Sequence, residues 1–460
     1  MLRGLMGPPY SRPAAILIGP TALAEMTRPS LAHAFEILAG DAGLEPLGQD
    51  RSSPEQTLVL AEPQDFSRED ALALLERASA RRLRLYAPAP GDQEPLRPWD
   101  LADLIGPQQV MTAGRRPGEG PLRERRILVT GAGGSIGSVL TRRLAQHYPA
   151  WLGLLDYSEY NLFRISRSTA ASRGQTPYAS FLADVRDGEA LRRLFEREKP
   201  DLIFHAAALK HVPIVEEHPC EGALTNVGGV RNVLRAAAEI GADVIFVSTD
   251  KAVNPANVMG ATKRLGELLC QGRDLLGGRR AISVRLGNVV GSAGSVAPVF
   301  EEQIAARGPV TVTHPAVSRY FITIPQAADF LVRAAADGLA DPSLRGAVQV
   351  LEMGAPLKIV ELARLMIRLQ GLQPEVDVPI EFVGLRPGEK LIEQLVNADE
   401  EVIGRSGAGV SSVRAPVREL GALESEVDRL LLLARAGQDE LVRSGLLRIV
   451  GATSPAAIAV

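Results

Sequence analysis

The chain reads as an α/β protein: a doubly wound parallel sheet, a smaller C-terminal part, and a degenerate α/β domain ahead of both. Three observations predict this. From Arg126 onward, short apolar runs alternate with longer amphipathic stretches, the pattern of repeated βα units. A glycine-rich turn, Gly131 to Gly137, joins the first of these runs to the stretch behind it. Residues 14 to about 112 show the same alternation on a smaller scale.

In that first region, Ala14–Ile18 and Thr57–Leu60 read as buried strands, with an amphipathic helix over 68–82 before a strand at 84–88. The turn Gly19-Pro20-Thr21 carries one glycine where a phosphate cradle wants several, and Pro20 lacks an N–H. A scaffold or partner surface is therefore favoured there over a second nucleotide site. Gly114 to Pro121 reads as a linker. The main sheet is expected from strands at 126–129, 151–155, 178–182, 202–204, 244–247 and 281–285, with helices over 136–147, 223–240 and 261–276 between them. Beyond Gly291 the strands become irregular, and 419–450 reads as amphipathic helix before a loose tail. The expected divisions are 1–120 (N-terminal domain and linker), 121–290 (dinucleotide-binding Rossmann core with catalytic segment), 291–410 (nucleotide-sugar-binding part) and 411–460 (C-terminal helices and tail).

Composition narrows the function. A net charge of -3 over 460 residues provides no field for nucleic acid, and no basic run with interleaved aromatics occurs. Two cysteines, Cys220 and Cys270, without metal-ligand spacing fit a reducing cytoplasm. No window reaches the roughly 18 apolar residues of a membrane helix, and the opening residues lack a signal-peptide core. A protein of the cytoplasm without a membrane span is expected.

The glycine turn has a strand before it and a helix behind it. Gly131 permits the tight turn, Gly134 admits a pyrophosphate, and Gly137 lets helix and strand pack closely, while Ser135 and Ile136 open the helix whose N-terminus favours anions. Asp156 ends the following strand where a ribose-binding acid belongs, which favours NAD over NADP; if Asp156 only caps a turn, Arg164 or Arg167 can receive the extra phosphate. Asp184 and Val185 would flank the adenine. Ala206 and Ala207, with Lys210 beyond them, let backbone pass near the cofactor. Asn226 is polar on an apolar helix face and should hold a strand or water by hydrogen bonds. His205 and His211 lack a third ligand and read as structural or substrate-proximal; no metal is expected.

The densest chemistry follows the strand at 244–247. Thr249, Asp250 and Lys251, then Met259 and Lys263, set a hydroxyl, an acid and two amines where a parallel sheet opens its ligand crevice. Together with the glycine turn, the segments 205–213, 258–264, 311–315 and 319–321, and Gly384-Leu385-Arg386-Pro387-Gly388-Glu389-Lys390-Leu391, these residues resemble the capsule and O-antigen polysaccharide-biosynthesis dehydratases. These are extended short-chain dehydrogenase/reductases, best known as UDP-N-acetylglucosamine 4,6-dehydratases. The resemblance spans about residues 100 to 400.

It implies NAD(P)-dependent dehydration of a UDP-N-acetylhexosamine to a 4-keto-6-deoxy sugar by a homo-oligomer. Lys251 would be the base at carbon 5, Asp250 the acid at the 6-hydroxyl, and Thr249 the partner of the 4-oxygen. Lys263 would bond the nicotinamide ribose. His211, Asn288, Arg319, Arg386 and Glu389 would engage the substrate, arginine forks suiting a diphosphate. The chain departs from the family's tyrosine at Met259, which cannot carry a proton. The 4-hydroxyl proton must then leave through Asp250, Thr249 or a water. Long relatives usually begin with membrane helices, an anchoring not carried over to this chain. A UDP-sugar 4-epimerase and a non-catalytic dinucleotide-binding regulator are the competing readings.

Overall fold

The computed structural model describes residues 14–18, 36–40, 57–88, 96–105, 121–172, 174, 176–406 and 409–452. The Gly19-Pro20 turn, the linker at 114–120 and the tail from 453 lie outside the described residues. The chain packs as two compact units that do not follow chain order: residues 1–108 with 294–317 and 357–384, and residues 109–293 with 318–356 and 385–460. The stretch expected as one nucleotide-sugar-binding part, 291–410, is thus divided between them.

In the first unit a five-stranded sheet runs in the order Glu36–Gly40, Ala14–Ile18, Thr57–Ala61, Leu85–Pro88, Leu96–Pro98. Its first four strands are parallel and the last is antiparallel. The amphipathic stretch behind the third strand is the helix Arg68–Ala80, whose Ser67 side chain accepts from the Asp70 N–H. A separate parallel pair, Val310–Val312 with Ile380–Phe382, belongs to the same unit.

The second unit is organised by a nine-stranded sheet: β1 (Arg126–Thr130), β2 (Trp151–Asp156), β3 (Tyr178–Leu182), β4 (Leu202–His205), β5 (Asp243–Thr249), β6 (Ala281–Leu286), β7 (Val348–Leu351), β8 (Glu401–Ser406) and β9 (Val410–Arg414). The spatial order is β8-β9-β7-β6-β5-β4-β1-β2-β3. β1 to β7 pair in parallel, and β9 turns back against β7 to close that edge with β8 as an antiparallel pair. Order reverses between β1 and β4, so the carboxyl ends of these strands open a crevice there. The strands are near-continuous apolar runs because both faces are covered. Within β1, Leu128 joins one apolar cluster with Phe195, Val230 and Leu265, while Ile127 and Val129 join another with Leu140, Phe330 and Leu331. That alternation is the strand's period of two.

Four expected helices differ from where periodicity placed them. The first glycine-turn helix, α1, is Ser135–Ala145. The stretch from 223 opens as a π-helical segment, Ala223–Gly228, before α2 (Gly229–Ile240). The catalytic-segment helix α3 is Val258–Leu275, starting three residues early because Asn257 caps it by accepting from the Gly260 N–H. The single helix expected over 419–450 is two, α4 (Leu420–Arg435) and α5 (Asp439–Ile449), broken where Gly437 takes a positive φ of 68°. Among the described residues, no helix is long and apolar enough to cross a membrane.

Candidate active site

The turn between β1 and α1 is fixed by close backbone approach. Gly131 has φ +66°, and a Cβ there would lie 2.7 Å from the Ala207 nitrogen. The small residues after β4, Ala206 and Ala207, therefore pass directly behind the turn. A Cβ on Gly137 would meet the Gly131 carbonyl oxygen at 2.1 Å, which is why helix and strand can pack here only through glycine. On Gly134 the nearest atom would be 3.3 Å away. Asp156, buried at the end of β2, accepts from the Gly133 N–H at 2.9 Å and the Ser158 N–H at 3.0 Å, so it anchors the turn as well as facing it. Ser135 accepts from the Ala293 N–H. Val185 is buried, while Asp184 pairs with Arg186.

Beneath the crevice lies a buried layer of polar groups. Asn226, in the π-helical segment, accepts from the Leu209 N–H and donates to the Leu209 carbonyl and to Thr262, holding the loop after β4 onto α3. His205 is fully enclosed and paired with Thr130 at 2.7 Å; burial, with the nearby Lys263 charge, pulls its pKa down to about 3, so it is neutral and structural. Lys263 donates to the Val247 carbonyl at 2.9 Å and lies over the Phe246 ring. Burial lowers its pKa to about 8. Met259 is buried in the apolar cluster that includes Val215 and Val258.

At the carboxyl end of β5, two strands over from the glycine turn, the chain enters a tight 3-10 turn. The Thr249 hydroxyl donates to Asp250 Oδ1 at 2.9 Å, and the Lys251 amine donates to the same oxygen at 3.0 Å and to Asn288 Oδ1 at 2.7 Å. Asp250 is wholly buried, and its Oδ2 has no hydrogen-bond partner among the described residues. The Lys251 side chain is 18% exposed, so the acid and amine are held in the fold and not splayed into water. Arg319, also buried, donates to the Ser318 and Leu391 carbonyls and lies 3.4 Å from Glu389.

The expected residues thus form two clusters. Thr249, Asp250, Lys251 and Asn288 are hydrogen-bonded together, and Arg319 is joined to Glu389. The Lys210, His211 and Arg386 side chains are exposed and join neither cluster; Arg386 meets Glu389 through its backbone, its N–H donating to the Glu389 carboxylate and its carbonyl accepting from the Glu389 N–H. Sequence reasoning missed four charged residues. Lys390 and Glu393 extend the second cluster towards Lys251. Glu267 and Glu400 sandwich the fully buried Arg285, each receiving two of its N–H groups at 2.6–2.8 Å, with Arg264 bridging both acids and Ser248 donating to Glu267. An arginine inside the apolar strand Ala281–Leu286 was the available signal, since a buried guanidinium requires buried acids. Among the described residues no cluster of His, Cys, Asp or Glu could hold a metal ion.

The sequence profile of a family described as polysaccharide biosynthesis protein matches residues 127–410. The probable polysaccharide biosynthesis protein EpsC of Bacillus subtilis is 42% identical over 300 residues, 65% of this chain and 49% of that protein. The chain therefore spans about half the length of that relative. An inverting UDP-N-acetylglucosamine 4,6-dehydratase of Campylobacter jejuni is 32% identical, covering 60% of this chain and 78% of that one. A UDP-glucose 4-epimerase of Rickettsia bellii is equally similar at 32%, over 60% and 79%. Among solved structures, Pen from Bacillus thuringiensis superposes with a TM-score of 0.57 at 29% identity, covering 65% of this chain and 92% of that one.

Proposed function

Because the chain belongs to the polysaccharide biosynthesis protein family, we propose that it dehydrates a UDP-N-acetylhexosamine, UDP-N-acetylglucosamine first among them, to the 4-keto-6-deoxy sugar. The observation that carries this reading is the hydrogen-bonded chain Thr249–Asp250–Lys251–Asn288 at the crevice edge of the sheet. Elimination across carbons 5 and 6 needs a base and an acid side by side, and the site supplies both.

A dinucleotide fits the glycine turn: no side chain caps the N-terminus of α1, whose first N–H groups favour an anion, and the nearest atom to a Cβ on Gly134 would be the turn's own Gly131 carbonyl oxygen. Gly131, Gly134, Ser135 and Ile136 would hold the pyrophosphate, Asp156 the adenosine ribose, with NAD preferred to NADP, and Asp184 with Val185 the adenine. When bound, the nicotinamide supplies reversible hydride storage between sugar carbons 4 and 6.

The protein's own groups move the protons. As carbon 4 is oxidised, its hydroxyl proton passes to Thr249, whose own proton passes to Asp250 2.9 Å away; this route needs no tyrosine, consistent with Met259 in its place. To act as the base Lys251 must be the free amine, whose two N–H donors would match Asp250 Oδ1 and Asn288 Oδ1 and leave its lone pair for the carbon 5 proton. Asp250 gives its proton to the departing 6-hydroxyl, which leaves as water. Lys251 then returns its proton to carbon 5 as carbon 6 becomes a methyl group. Every proton is accounted for, and both residues end as they began. Arg319 with Glu389 would grip the diphosphate and a ribose.

The test is incubation with UDP-N-acetylglucosamine followed by proton NMR. A methyl doublet with loss of the 6-hydroxymethyl signals is expected. The second reading, 4-epimerisation, is favoured by the Rickettsia relative's similarity; conversion to the galacto isomer without a methyl signal would establish it instead.

A further inference from the structure

Glu393 has no part in the proton transfers above, yet it is one of the most deeply enclosed charges at the site, only 3% exposed. Three cations face it. Lys390 Nζ is 3.3 Å from Oε2, while Lys251 Nζ and Arg319 Nε are each 4.0 Å from Oε1. Each cation also has a partner of its own: Lys251 has Asp250 and Asn288, Lys390 the Val253 carbonyl, and Arg319 the Ser318 and Leu391 carbonyls with Glu389 nearby. Glu393 is therefore not a simple counter-ion to any one of them. It occupies their common centre, where a carboxylate would be too costly to bury without such surroundings.

The segment that carries it is clamped to the catalytic loop. Asn257 donates to the Gly388 carbonyl, Lys390 to the Val253 carbonyl, Asn254 to Gln394, and the Asn254 N–H to Asn397. Gly388, at φ +73°, permits the closest approach, since a Cβ there would lie 2.9 Å from the Ala256 carbonyl oxygen. The Glu393 carboxylate is thereby fixed relative to Lys251 across about 140 residues of sequence.

We propose that Glu393 is a positioning residue that stabilises the positive charge Lys251 acquires on taking the carbon 5 proton, with Arg319 and Lys390 facing the same buried carboxylate. This rests on the dehydratase reading for the identity of the proton, but not for the electrostatic coupling. An anion fixed 4.0 Å from a nascent ammonium, in a site shielded from water, strengthens the base as charge develops. The groups facing Lys251 are Asp250, Asn288 and Glu393; those facing Glu393 are Lys251, Arg319 and Lys390.

Two measurements on full-length protein test it. The first is the pH midpoint of Lys251 acetylation by trace acetic anhydride, read by mass spectrometry without substrate. In Glu393→Gln the midpoint should fall by about one pH unit, because the ammonium form loses its stabilising anion. In Glu393→Asp, which keeps the charge but retracts it by one methylene, the fall should be in the same direction and smaller. The second is the pH profile of UDP-N-acetylglucosamine turnover. In Glu393→Gln the pH of half-maximal kcat should fall together with the acetylation midpoint. The limiting kcat at high pH, where Lys251 is a free amine in both proteins, should fall severalfold with KM changed less than about twofold, the pattern of an interaction made in the transition state. An unchanged acetylation midpoint in Glu393→Gln overturns the proposal. A shifted midpoint in a protein whose wild type makes no methyl product upholds the coupling and sinks the dehydratase reading instead.

Discussion

The glycine turn and the charged rim lie on the same sheet edge, yet they are built in opposite ways. The turn is one contiguous stretch whose function is carried by backbone: Gly131 and Gly137 are there because a Cβ would strike Ala207 or the Gly131 carbonyl. The rim is carried by side chains brought from four places, 249–251, 288, 319 and 389–393. A site made of backbone can be deleted only by adding atoms. A site made of charges can be deleted by removing one, and the loss spreads to every group that charge was holding.

The largest expected effect separates the two directly. Lys251→Ala should reduce formation of the methyl product by about 10³-fold or more, the upper range for removing a general base. Dinucleotide affinity, measured by calorimetry, should remain within about twofold, because the turn does not depend on the rim. A variant retaining more than a tenth of wild-type turnover would remove Lys251 as the base.

Next in size is the buried ion group beneath the rim. Burial alone would push the Glu400 carboxyl up, but the bonds and charge of Arg285, with Arg264, override it and hold the pKa at about 2. Since the folded value lies below the unfolded one, Glu400 contributes stability above about pH 4.5, and that contribution fades as pH falls towards 2. Glu400→Gln should destabilise the protein by about 3–5 kcal/mol in urea unfolding at pH 7, because Arg285 and Arg264 keep their buried charge. It should also flatten the dependence of stability on pH between about 5 and 2. Unfolding curves that coincide at pH 7 would show that the group contributes nothing net.

Gly137→Ala tests the backbone side of the comparison. A methyl group 2.1 Å from a carbonyl oxygen forces α1 away from β1. A cost of about 1–3 kcal/mol is expected, with dinucleotide affinity lost and the Lys251 acetylation midpoint unmoved. If the midpoint moved as well, the two regions would be coupled and the contrast drawn here would fail.

The same contrast explains what could be read from the sequence. The turn, the strand before it, the helix behind it and Asp156 were legible because each is a local pattern with a steric or electrostatic reason. Asp250 and Lys251 were legible for the same reason: they follow a strand directly. Glu393, Glu400 and Glu267 were not. A glutamate in a polar loop or on a helix looks like a solvated charge until the fold encloses it, and only Arg285 in its apolar strand hinted that acids had to be buried nearby. The π-helical turn at Asn226 was equally hidden, since its apolar spacing differs little from that of an ordinary helix over one turn.

The smallest expected effect bears on Met259. If the Thr249 hydroxyl carries the 4-hydroxyl proton to Asp250, then Thr249→Val, which keeps the shape and the extended backbone but not the oxygen, should slow turnover about tenfold. The loss should stay modest because a water can stand where the hydroxyl was. Thr249→Ser should restore most of the rate. With substrate deuterated at carbon 4, the isotope effect on kcat should rise in the valine variant, since oxidation becomes the slow step. An isotope effect and rate equal to wild type would mean that Asp250 takes the proton without help, and that Thr249 serves only to shape the turn through the hydrogen bond its hydroxyl accepts from the Lys251 N–H.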